Sequence, residues 1–295
     1  MRPLPALVLI GAAWGATQPL AKIAVEGGHG PLGLIAWQSV IGAALLGALL
    51  AARARLPRPT PARLAVWALI VATGSLLPSY ASYSAIAHLP AGVMSILIST
   101  VAVMAFPLAI AMGTDSFAWP RLAGLFVSLA GVALIAAPGA LPGGAALGWV
   151  AIALIGPALY AFEGNAVARW GTAGMGPLQT LFGASVLGAL MSVPLAAVTG
   201  QGRSPFVAWG TPEWALLVMA LIHALTYASY VWLVGRAGAT FAAQVSYLVT
   251  LFGVTWSMLI LGESYGPAVW AAMILILGGV ALVRPRQDAR EQEAA

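Results

Sequence analysis

The sequence predicts an all-α integral membrane protein whose ten transmembrane helices form two inverted five-helix repeats. Three observations predict it: a sparsely charged apolar composition, ten stretches of membrane-spanning length, and a second half that matches the first. Hydrophobic residues make up 61% of the 295 and charged residues 7%, and the mean hydropathy is +0.95. A soluble domain carries about a quarter charged residues and could not hide this much apolar surface. Lipid is the solvent this chain is built for.

A bilayer core of about 30 Å needs roughly 20 apolar residues per helix. Proline, glycine and charge clusters cut the chain into spans at 4–25, 31–52, 63–86, 90–112, 119–137, 147–168, 177–198, 213–234, 240–262 and 266–284. Spans of this length exclude a β-barrel of alternating ten-residue strands. The first opens on MRPLPALVLIGAAWGA, which has the profile of a secretory leader, but the repeat claims it for the fold. The second and seventh follow Gly-Pro at 30–31 and 176–177. Prolines inside spans (Pro19, Pro78, Pro107, Pro157, Pro194) permit kinks, and Pro78 is the best hinge. After the tenth span the tail RPRQDAREQEAA is charged and is expected to be disordered.

The net charge of +5 does not point to nucleic acid. Arg2, Arg53, Arg55, Arg58, Arg63, Arg121, Arg169, Arg236, Arg284, Arg286 and Arg290 fall in alternate loops or at the termini. The opposite loops hold only Arg203, and Lys22 lies within a span. By the positive-inside rule both termini are cytoplasmic, as an even number of spans requires. The absence of cysteine removes disulfides and thiolate metal sites.

The internal match runs in order along the chain. LIG at 9–11 meets LIG at 154–156, 145 residues on, and GPLGLIAWQSVIGAAL from Gly30 meets GPLQTLFGASVLGALM from Gly176, 146 on. YASY recurs at 80–83 and 227–230, 147 apart, and AGVALI at 130–135 meets GGVALV at 278–283, 148 apart. The last offset also places Asp115 on Glu263. The domains expected are therefore a first repeat at 1–140, a second at 141–285 and a cytoplasmic tail at 286–295. An odd number of passes per repeat inverts the second copy, a construction that suits alternating access to a pocket between the halves.

AAWGATQPLAKIA, GPLGLIAWQSVIGA, LPAGVMSILIS, LGES and ILGGVALV together resemble the drug/metabolite transporter superfamily, in its ten-helix bacterial EamA-type branch. The resemblance covers residues 4–284 and implies an inner-membrane secondary transporter, mostly an exporter of amino acids or other small metabolites. Two departures stand out. Gln38 occupies a place where such proteins often carry Arg, and Gly113-Thr114-Asp115 replaces the Gly-Glu that Gly262-Glu263 keeps.

Candidate site residues are the polar and aromatic groups set deep in spans. Tyr80 and Tyr227 lie about 8 and 5 Å from their span centres at about 1.5 Å per residue. That is too deep for the aromatic belt that explains Tyr83 and, less well, Tyr230. All four are candidates for the two lips of one cavity. Glu163, about 8 Å from the centre of span six, is expensive in lipid and points to a substrate or proton role. The competing reading pairs it with Arg169. Trp14, Thr17, Gln18 and Lys22 lie on span one and Tyr160, Glu163 and Asn165 on span six, with Gln18 matching Glu163. Lys22 either snorkels or serves as counter-charge to a substrate carboxylate. His223 shares a face with Tyr227 and is a cavity or proton-carrier candidate, whereas His88 reads as a solvated loop residue. Gln38 and Gln244 are either site groups or, like Ser95 and Ser99, interhelical hydrogen-bonders. The expected substrate is a small amphipathic metabolite, first an amino acid, with a cationic drug or polyamine held by Glu163 as the alternative. A channel or an intramembrane enzyme ranks lower. Phosphate-loop, metal-ligand and Ser/His/Asp patterns are missing, so no cofactor, metal or nucleic acid is expected. The lipid bilayer is the expected surround, a proton is the candidate coupling ion, and oligomeric state leaves no signature.

Overall fold

In the computed structural model the described residues are 3–137, 139–140, 147–204, 208–237, 242 and 244–283. The charged tail lies outside them. They form ten rods: α1 Pro3–Glu26, α2 Pro31–Ala52, α3 Pro61–Ile86, α4 Ala91–Ala111, α5 Trp119–Ala136, α6 Leu147–Trp170, α7 Pro177–Val198 and α8 Thr211–Ala237, then α9 Val245–Leu261 and α10 Pro267–Leu282. No strand occurs among the described residues. The first eight are long and apolar enough to span a bilayer, and the last two are shorter. The rods match the expected spans within a few residues, because the sequence punctuates them. Gly30, Gly176 and Gly266 cap extended-backbone entries, each followed by proline at the first helical position, where the missing N–H costs nothing. Gly262 ends α9 at φ +67°, a left-handed cap that disfavours any side chain.

Three rods are interrupted. In α1 the helix breaks at Ala16, where Thr17 Oγ1 donates 2.7 Å to Trp14 O. In α4 the break falls at Ser99 and Thr100, whose hydroxyls donate back to Ile96 O and Leu97 O at 2.7 and 2.6 Å. In α3 residues Val71–Leu76 form a π turn between two α-helical segments. Pro78 explains it. Its ring collides with the carbonyl four residues back, at Gly74, and it supplies no N–H to that carbonyl. Widening the helix by one residue relieves both.

Helix pairing maps onto itself when the two halves are exchanged. The pairs α2–α7, α5–α10 and α4–α9 are each their own counterpart. The contacts α1–α8 and α1–α9 are mirrored by α6–α3 and α6–α4, and α2–α8 by α7–α3. Small residues set the closest approaches, as helices in lipid require. Between α2 and α7, a Cβ on Gly42 would stand 3.1 Å from Ser185 Oγ, and one on Gly188 3.0 Å from Ser39 Oγ. The two contacts are reciprocal images at the 146-residue offset. The α5–α10 seam repeats the device with Gly131 against Ile276 and Gly279 against Ser128.

With ten passes, both ends of the bundle lie on one face. The opposite, far face is tied by polar contacts. Glu263, placed by the Gly262 cap, accepts from Ala91 N (2.7 Å) and Gly92 N (3.1 Å), capping α4 from the other half. The Tyr265 hydroxyl donates to the same carboxylate and overlies Gly92, where a Cβ would overlap it. Burial, then the Glu263 carboxylate, push the Tyr265 phenol upward. Nearby, His29 Nε2 lies 3.2 Å from Glu213 Oε1, and Arg203 bridges Glu213 Oε1 and Gly27 O, both at 3.2 Å. Gln201 Oε1 accepts from Leu32 N at 2.9 Å. Desolvation by burial, then the Arg203 guanidinium, hold His29 below the usual imidazole value.

Candidate functional site

The site is built on α6, which packs against α3 and α4. Tyr160 and Glu163, three residues apart, project to one side of it. Tyr160 interacts with Ser79 of α3 and lies within electrostatic reach of Glu163 and Tyr83. Tyr83 is 9% exposed and donates a 2.6 Å hydrogen bond to Gln38 Oε1 of α2. These groups form one wall.

Glu163 rests on the backbone of Gly74, inside the π turn of α3. A Cβ at 74 would overlap Glu163 Oε2 and lie 2.5 Å from Cδ and 2.8 Å from Oε1. Among the described residues the carboxylate makes no hydrogen bond or ion pair. It is only half-buried, so it borders open space. Arg169 is exposed and makes no ion pair with it among the described residues, which removes the structural pairing.

The second wall comes from α8 and α1. Trp14 Nε1 approaches His223 Nδ1 at 3.5 Å, and the rings meet edge to face at 6.1 Å. Accepting at Nδ1 leaves the proton of a neutral imidazole on Nε2. The Trp14 ring also lies 5.9 Å from that of Tyr230. His223 is otherwise exposed, and its contact with Trp14 joins α8 to α1. Tyr227 is half-buried and within electrostatic reach of both Tyr230 and Glu163, so it links the walls. Gln18 is half-buried one turn beyond Trp14, without a hydrogen bond among the described residues.

Three expectations are corrected. Tyr80 is 45% exposed beside Leu77, on the face of α3 turned away from α6; the α6 side is marked by Pro78 and Ser82, which meet Gly156. Its partner Tyr83, a site candidate that the aromatic belt would also have explained, is the one turned inward, because residues three apart still differ by about 60° around a helix. Lys22 neither snorkels nor faces a substrate. Its ammonium donates to Ile86 O (2.8 Å) and Leu89 O (3.1 Å) at the end of α3 and pairs with Glu26 at 3.3 Å. Gln244 is exposed ahead of α9, which starts at Val245, and no contact among the described residues joins its side chain to either wall.

Ser95 and Ser99, expected to bond between helices, instead donate to carbonyls of their own helix, Ala91 O and Ile96 O. His88 is exposed, as expected of a loop residue, and stacks on Trp149 at 3.8 Å. Asn165 fastens α6 to Ala105 O of α4 at 3.1 Å, with Thr114 donating to its Oδ1 at 3.3 Å. Sequence reasoning missed Ser79, Gly74 and the Glu263 cap. Gly74 had a signal, standing four residues before Pro78. Among the described residues the two walls bring together the Glu163 carboxylate, the Tyr83–Gln38 pair and the rings of Trp14, Tyr160, Tyr227 and Tyr230, from both halves. Such rings offer flat apolar surface to an amphipathic body and a negative face to an ammonium, while a lone intramembrane carboxylate can take a cation or a proton.

A family profile described as the EamA-like transporter family matches residues 2–137 and again 147–284. The chain is 26% identical over 293 residues, covering 98% of it and 96% of the relative, to the "Probable terminal-alkyne amino-acid exporter" of Streptantibioticus cattleyicolor. One solved crystal structure superposes with a TM-score of 0.55 at 20% identity, covering 94% of this chain and 97% of the other; that is a likeness of fold alone.

Proposed function

The chain belongs to the EamA-like transporter family, and on that premise we propose that it is an alternating-access secondary carrier exporting a small amphipathic metabolite, first an amino acid. As a family member it is a multi-pass membrane transporter of small metabolites. The observation that carries the finer reading is Glu163: an unpaired carboxylate in an aromatic-walled space, reached from both halves of the bundle. An α-ammonium fits that carboxylate, and the rings of Trp14, Tyr83, Tyr160, Tyr227 and Tyr230 fit an apolar side chain. The name of the Streptantibioticus relative supports amino acids as the substrate class. Arginines on alternate loops support a bacterial-type inner membrane with both termini cytoplasmic, which puts the far face toward the periplasm. The two repeats, about 1–140 and 141–285, are the units that rock.

A second reading has its own support. Lys22 is tied to α3 and to Glu26, and Gln38 is a neutral amide bonded to Tyr83, so neither supplies a free cation for a substrate carboxylate. A cationic amine or polyamine would find its counter-charge in Glu163 as readily as an amino acid's ammonium would. Proteoliposome counterflow with labelled L-phenylalanine, L-leucine and spermidine separates these. Saturable exchange of the amino acids, weakened but not abolished by Glu163→Gln, supports the first reading. Spermidine exchange abolished by the same change supports the second, and non-saturating flux of every probe refutes the carrier.

A further inference from the structure

Several features of the fold are used by no part of this reading, and the strongest is the π turn of α3. Pro78 forces the helix to widen at Gly74, and the widened turn faces α6, not lipid: Gly74 meets Glu163, and Pro78 and Ser82 meet Gly156. The widened turn thus lies directly beneath Glu163, whose carboxylate is unpaired among the described residues. π turns concentrate where a side chain must be placed for function.

We propose that Gly74, presented by the Pro78-induced π turn, is the positioning residue for Glu163: a side-chain-free seat that holds the carboxylate against α3 and sets how far it stands from the cavity. This rests on the reading of Glu163 as the cavity's working carboxylate. Any side chain at 74 takes the volume now filled by Oε2 and Cδ. The carboxylate must then swing out into the open space it borders, toward Tyr227 and water. A shorter acid at 163 would not collide, because its carboxylate ends about one C–C bond nearer α6. Seat and acid are therefore coupled by size: alanine at 74 calls for aspartate at 163.

The test compares the wild-type protein with Gly74→Ala, Glu163→Asp and the double variant in two assays. The first needs no substrate. Dicyclohexylcarbodiimide modifies protonated carboxyls in apolar surroundings, and mass spectrometry reads its rate at residue 163 in purified, detergent-solubilised protein. Gly74→Ala is expected to slow this at least tenfold, whereas the double variant reacts within threefold of Glu163→Asp alone. The second is L-phenylalanine counterflow, in which Gly74→Ala raises KM at least fivefold and the double variant recovers to the level of Glu163→Asp. Alanine is the better helix former, so a fall in KM performance without loss of monodisperse protein is not a folding defect. Labelling by Gly74→Ala within twofold of wild type overturns the seat, as does a double variant whose losses multiply. If wild type exchanges none of the amino acids, the proposed substrate class fails and the labelling still decides the seat. If Glu163→Gln exchanges them normally, the working role of Glu163 fails instead.

Discussion

Removing the Glu263 carboxylate takes away the most direct tie between the two halves at the far face. It accepts two backbone N–H groups at 2.7 and 3.1 Å from the first turn of α4 and a third donor from Tyr265. A hydrogen bond to a charged group is worth about 1.5–3 kcal/mol, and a carboxylate at a helix N-terminus gains about 0.3–1 kcal/mol from the dipole. Glu263 is half-buried, so solvent screening trims both, and water takes over part of the donors' need. Glu263→Ala should then cost about 2–3 kcal/mol. At about 2–4 °C per kcal/mol for a chain of this class, the melting temperature in detergent should fall by about 5–10 °C. Glu263→Gln keeps a neutral acceptor and should fall about half as far, and Tyr265→Phe less again. Differential scanning fluorimetry of purified variants reads the series. A Glu263→Ala protein melting within about 1 °C of wild type would show that the carboxylate does not hold α4.

Two further outcomes follow from individual contacts. Tyr83→Phe deletes the 2.6 Å bond to Gln38, so it should cost about 1 kcal/mol in stability and weaken L-phenylalanine exchange, with Tyr80→Phe leaving both unchanged; equal effects of the two in counterflow would refute the inward placement of Tyr83. His29 is held below its usual value of 6.5 by burial and then by Arg203, so the unfolded chain takes up a proton that the folded one resists. Stability is full above about pH 6.5 and is lost as pH falls through the folded-state value. His29→Gln, whose amide still donates to Glu213, should reduce the drop in melting temperature between about pH 7.5 and about pH 5, and an undiminished drop would clear His29 of the role.

The rods were legible because lipid leaves few ways to arrange a chain. Gly-Pro entries at 30, 176 and 266 and the arginine-bearing loops mark ends that packing has little freedom to move. Depth was legible too, since it follows from counting residues, and it singled out Glu163, Tyr160, His223 and Tyr227. Rotation about the helix axis was not. Depth favoured Tyr80 over Tyr83, one turn nearer the interface, and only the packing of Pro78 and Ser82 on α6 decides which one turns inward. Lys22 was ambiguous for another reason: its carbonyl partners at Ile86 and Leu89 belong to a helix end more than sixty residues away. Backbone acceptors leave no trace in a sequence. The Glu263 cap escaped likewise, because its donors are the amides of Ala91 and Gly92 rather than side chains.

The reciprocal Ser39–Gly188 and Ser185–Gly42 contacts carry a consequence for direction. In the rocking carrier proposed above, a spot on the axis of interchange meets the same partner whichever way the molecule is tipped. Bulk introduced there penalises both orientations alike, lowering yield and heat tolerance without favouring entry over exit. Off-axis ties such as Glu263 have no such neutrality, and evolution that needs to reverse or bias the cycle has to work on them.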